Sequence, residues 1–167
     1  ENTNYLFSIP NDITTTIVNG VATFDNIDIF QGTFLRKQFL VDGSLDQRFL
    51  LDNSFIDSST IVVNVTGPNE TTLGREYSLA SNIINIDSTS ETYLIQEVQD
   101  EKYELLFGDG YFGKKLENGS TITATYIITD GKAGNGSTLF SYAGRVLDSL
   151  DNPVVPTNSV SITTNQP

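Results

Sequence analysis

Residues 120–128, STITATYII, place Ile122, Ala124, Tyr126 and Ile128 on one face and Ile127 on the other. A repeat of two is the period of a strand, and no helix of period 3.6 presents that set as one stripe. The same alternation recurs along the chain. Residues 32–41 put Leu35, Phe39 and Val41 together; residues 59–65 do the same with Ile61, Val63 and Val65, closed by Gly67-Pro68. Residues 92–98 and 102–107 are two further runs joined across Gln99-Asp100-Glu101, which reads as a hairpin. Another hairpin is predicted where Asn19-Gly20 separates ITTTIV (13–18) from VATF (21–24), because Asn-Gly tolerates the positive φ angles of a two-residue turn.

Helix signals are few. Residues 75–84, REYSLASNII, have the length for two turns, and residues 95–106 have helical propensity but better strand alternation. The predicted fold is therefore mainly β: antiparallel strands in sandwich-like sheets with little helix. Four segments are expected. They are an N-terminal β region (1–66), a connecting segment (67–91) read as loop, short helix or both, a β region (92–147), and a Pro-punctuated tail (148–167) with one strand near 159–164. No period of 20–50 residues repeats, which excludes a solenoid or propeller.

Composition narrows the chemistry. The 167 residues contain no His and no Cys, which removes Ser-His-Asp and Cys-His nucleophiles, His acid–base pairs, ordinary zinc sites and disulfides. Carboxylate pairs, Lys or Tyr sites and oxygen-ligated calcium remain. With 21 acidic against 9 basic residues the net charge is −12, a surface that repels nucleic-acid phosphates and anionic membranes. No apolar run approaches the roughly 18–20 residues of a membrane span, so a soluble segment is expected. The chain begins with Glu1 and contains no Met, and it reads as a piece of a longer protein.

Gly108-x-Gly110-x-x-Gly113 has the spacing of a dinucleotide-binding loop. That chemistry needs a helix directly after the loop, whose N-terminus holds the pyrophosphate. Here KKLENGS follows, reaching an Asn-Gly turn and then the strand at 120–128. Gly108, Asp109, Gly110 and Gly113 read instead as a structural corner between strands: the glycines supply backbone conformations that L-residues avoid, and Asp109 bonds neighbouring N–H groups. Asp109-Gly110 and Asp130-Gly131 lack the further acidic ligands of a calcium loop. The sequons at Asn64, Asn69, Asn118 and Asn135 occur about as often as the abundance of Asn, Ser and Thr produces by chance. The doublets Arg36-Lys37 and Lys114-Lys115 read as solvated positions. No catalytic, cofactor or metal site is expected.

Residues 103–136, YELLFGDGYFGKKLENGSTITATYIITDGKAGNG, resemble the signature of baseplate J-like proteins, the wedge subunits of contractile-tailed phage baseplates. An aromatic strand, Phe107 to Gly110, Gly113, Gly119, Tyr126, Gly131, Asn135 and Gly136 stand in the order of that pattern. The upstream block 27–65 is similar as well, through Gln31, Gly32, Thr33, Phe39, Arg48, Phe49, Asn53, Ile56 and Asp57. The N-terminal 25 residues match no part of the pattern, and a helical stretch expected downstream is absent. The resemblance implies a structural virion subunit without catalytic residues or cofactors, located in the tail baseplate and assembled in the host cytoplasm. Its implied partners are copies of itself and other wedge proteins. The competing reading is an extracellular β-sandwich module for calcium or glycan binding or adhesion.

Overall fold

The computed structural model describes residues 4–155 except 10, 45, 73, 83, 135 and 138. Among the described residues eleven strands follow one another: β1 (Phe7–Ser8), β2 (Ile17–Val18), β3 (Val21–Ala22), β4 (Phe30–Gln31), β5 (Thr33–Leu40), β6 (Phe49–Leu51), β7 (Ile56–Thr66), β8 (Arg75–Leu79), β9 (Thr92–Val98), β10 (Lys102–Phe107) and β11 (Thr121–Ile128). Seven of them form one sheet in the order β5-β11-β7-β8-β9-β10-β6, while β1-β4 and β2-β3 are separate two-stranded pairs. The large sheet curls until it is nearly closed like a barrel. The expected mainly-β, antiparallel character is what the chain adopts, with one exception: β8 and β9 run parallel, held by only two residue pairs.

The alternating residues face the enclosed core. Ile61, Val63 and Val65 of β7, Ile122, Ala124 and Tyr126 of β11, and Val41, Leu51, Tyr77, Tyr93 and Leu105 are all buried in one cluster. Each fully buried aliphatic among them contributes about 1.5–3 kcal/mol. An aromatic chain crosses this core: Phe39 meets Phe49, Phe49 meets Phe107, and Phe107 meets Tyr77, with centroids 5.5–6.0 Å apart and steeply inclined planes. The buried hydroxyls are satisfied, Tyr93 Oη donating to the Ile61 carbonyl and Tyr126 Oη to Asn53 Oδ1. The register of β11 on β7 shifts between Thr125 and Ile127. Side chains repair that irregularity: Thr60 Oγ1 accepts from Ile127 N and donates to the Asp57 carbonyl, and Asp57 Oδ1 accepts from Ser59.

Both predicted hairpins form. Asn19 and Gly20 carry φ of 51° and 79° between β2 and β3, and Asp100 and Glu101 carry 66° and 56° between β9 and β10. The helical alternative at 75–84 is corrected: residues 75–79 are strand β8, because Tyr77 supplies core while β7 and β9 offer hydrogen-bonding edges on either side. Ile127, expected on the outer face of β11, is also buried, and its Cγ2 lies only 2.6 Å from where a Cβ on Gly32 would sit. The strand expected near 159–164 lies outside the described residues.

The chain divides after Gly131 into two compact units. In the second, Leu147 pairs with Pro153 around a turn in which Asp148 Oδ1 accepts from Leu150 N and Asn152 N. Among the described residues no helix is long and apolar enough to cross a membrane.

Candidate functional site

The glycine-rich loop is a corner whose first residue packs against the core. Phe107 ends β10 and packs against Phe49, Tyr77 and Tyr93. The chain then turns through Gly108, where any Cβ would lie 2.1 Å from the Gly113 carbonyl carbon, so two main-chain segments touch where a side chain would otherwise stand. Gly110 and Gly113 adopt φ of 94° and 87°, the left-handed region that glycine occupies without strain. Asp109 Oδ1 accepts from Tyr111 N at 2.8 Å and Phe112 N at 2.9 Å, and these two bonds hold its carboxyl below the ordinary range. Gly110 N donates to the Gly113 carbonyl.

The corner is tied to a second turn. Gly113 N donates to the Asp87 carbonyl and Lys114 N to that of Ser90, while Asp87 Oδ1 accepts from Thr89 and Ser90. Lys114 Nζ reaches Glu91 at 2.8 Å, and Glu91 also takes Arg75 at 3.0 Å. The basic doublets are thus only partly solvated, since Lys37 is likewise paired, with Asp52.

Held by these bonds, the tip presents Tyr111 and Phe112, which are 81% and 66% exposed. Beneath Phe112 an open cleft of about 430 Å³ is lined by Ala80, Ile86, Leu94, Leu106 and Phe107 among others. Two exposed aromatics beside an apolar cleft are the kind of surface that a partner could bury, since aromatic side chains bury much area at little entropic cost. Gly108, Asp109, Gly110 and Gly113 come together as one turn. Tyr111 and Phe112 were not singled out from sequence, although two adjacent aromatics inside a glycine loop were the available signal.

The corner has no nucleotide-site geometry. After Gly113 the chain bridges back to Gly108 through Lys115, turns at 117–120 with Gly119 N donating to the Val41 carbonyl, and enters β11. No helix N-terminus follows the loop. Among the described residues no group of three or more acidic side chains is placed to hold a metal.

The fold and this corner define a β-rich module with an exposed aromatic tip. No protein-family model matches the chain. It is 28% identical over 147 aligned positions to the baseplate wedge protein gp6 of Enterobacteria phage T4. That match covers 79% of this chain and 21% of the T4 protein, so the chain spans about a fifth of the length of the curated relative it matches.

Proposed function

We propose that this chain is part of a wedge subunit of a contractile phage tail baseplate, of the baseplate J-like kind, and that it works through contacts with copies of itself and with other wedge proteins. The observation that carries the reading is the similarity to the T4 wedge protein across 79% of this chain. The geometry is compatible with it. Phe107, partly buried against the core, and Gly108 in main-chain contact with Gly113 give a fixed corner, and Tyr111 and Phe112 project from it. In this reading Gly108, Asp109, Gly110 and Gly113 determine the fold, and no residue performs catalysis or holds a cofactor. Assembly takes place in the host cytoplasm and the finished protein resides in the virion.

The test is light scattering of the full-length protein, alone and mixed with the products of neighbouring tail genes. A symmetric oligomer or a defined mixed complex is expected. A strictly monomeric protein that joins no larger complex would refute the reading.

A further inference from the structure

The hairpin β2–β3 pairs only with itself among the described strands, through Ile17↔Ala22 and Val18↔Val21, with Thr15 Oγ1 donating to the Thr23 carbonyl further down the arms. Every residue from 11 to 26 is exposed, and Ile17, Val18 and Val21 are 72%, 63% and 61% exposed. An isolated two-stranded hairpin is marginal in water. A tip of three aliphatic side chains gains its apolar burial only from something outside the hairpin.

Charge indicates what that is. From residue 1 to residue 35 the chain carries Glu1, Asp12, Asp25 and Asp28 and no Lys or Arg, the first cation being Arg36. Asp12 and Asp25 flank the hairpin, all three aspartates are exposed, and none makes an ion pair with a described residue. A second copy would bring the same acidic arm and a further −12, so self-docking here is opposed by like charge. We propose that residues 13–24 form a docking arm whose aliphatic tip enters an apolar slot rimmed by Lys and Arg on a different protein. This deepens the structural-subunit reading and rests on it.

The test uses the full-length protein against each purified product of the neighbouring tail genes. Affinity is measured by biolayer interferometry at 50 and 500 mM NaCl, and amide hydrogen exchange is followed free and bound. Two variants are compared with the wild type: Ile17→Ser with Val18→Ser and Val21→Ser, and Asp12→Asn with Asp25→Asn and Asp28→Asn. For one basic partner, the aliphatic triple variant is expected to weaken Kd at least tenfold at both salt concentrations. The Asn triple variant should weaken it at 50 mM and match the wild type at 500 mM, where exposed charges are screened. Amides 17–22 should exchange at least tenfold more slowly in the wild-type complex, a readout that needs no variant to fold. Three outcomes overturn the arm while leaving the subunit reading intact: a partner bound equally by all forms, amides 17–22 already protected in the free protein, or self-association abolished by the aliphatic triple variant. A wild type that binds no tail protein removes the subunit reading, and the arm falls with it.

Discussion

Phe39 and Phe49 meet edge to face, their ring centroids 5.7 Å apart and their planes inclined by 73°, across the gap where the large sheet fails to close. The two strands that carry them, β5 and β6, are neighbours in sequence yet occupy opposite edges of the sheet. Lys37 pairs with Asp52 across the same gap, and in the connecting loop Gln47 Nε2 donates to the Leu40 carbonyl while its Oε1 accepts from Asp42 N. Side chains therefore complete what main-chain hydrogen bonds leave open.

Removing one ring tests that closure. Both rings are half-buried, so Phe49→Ala is expected to cost roughly 2–4 kcal/mol, overlapping the lower half of the range for core aromatics and falling below it. A double-mutant cycle with Phe39→Ala should return a coupling of about 0.5–1.5 kcal/mol. Urea unfolding of the four proteins gives both numbers. A coupling indistinguishable from zero would mean the rings only neighbour one another.

The pair Arg48–Glu104 makes a pH prediction. Arg48 Nε and Nη2 donate to Glu104 Oε1 and Oε2 at 2.8 and 2.6 Å, tying the residue before β6 to the largely buried carboxylate of β10. These bonds hold the Glu104 carboxyl below its ordinary value of 4.5. A depressed folded-state value means that its stabilisation is present above pH 4.5 and is lost as pH falls through the folded value. Glu104→Gln should therefore melt below the wild type at pH 7, and the difference should shrink as pH falls below 4.5 towards the lower folded value. At pH 7 Arg48→Ala should lower the melting temperature, because it leaves the largely buried Glu104 carboxylate without its partner. Melting differences that do not change between pH 7 and pH 3 would show that the charge on Glu104 contributes nothing.

At the corner the glycines should differ in severity. Gly108→Ala forces a Cβ into the main chain of Gly113 and should be the worst, with a loss of about 2–4 kcal/mol. Gly110 has φ of 94° but open space, with only Lys115 Cβ near at 3.6 Å, so Gly110→Val should cost about 1–3 kcal/mol from backbone strain alone. Lys115→Ala, at an exposed side chain, should be near neutral. Thermal melts of the three variants rank them, and equal midpoints would reduce the glycines to spacers.

Ligand titration separates the structural reading from the binding-module reading. Calcium at micromolar to millimolar concentration should leave the melting temperature unchanged, as should ATP, NAD and FAD. A saturable upward shift with calcium would favour the binding module instead.

The strands of the large sheet with a full period-two pattern were legible in the sequence: β5, β7, β9, β10 and β11 fall within or around the predicted runs. β6 was not, because three residues, Phe49-Leu50-Leu51, are too few to show a period. β8 was ambiguous because Tyr77 is its only buried residue, and its place is set by edges that β7 and β9 supply from a distance. The corner was readable from Gly108 to Gly113 because turn chemistry is local. The cleft beneath Phe112 was not, since Ala80, Ile86, Leu94 and Leu106 are brought together only by the fold.

The short parallel step between β8 and β9 divides the barrel along a second line. Counted by main-chain bonds, the wall is two plates, β5-β11-β7-β8 and β9-β10-β6, joined on one side by two residue pairs and on the other by the side chains at β5 and β6. The aromatic chain rivets both joints from within: Phe39 to Phe49 spans one, and Tyr77 to Phe107 spans from β8 to β10 past the other. On the side of the β8–β9 joint the fewest main-chain pairs cross, so side-chain packing carries more of the connection there than between the other paired strands of the wall. Phe107 is one of those rivets and also opens the corner that carries Tyr111 and Phe112, so the exposed tip and the joint share one residue.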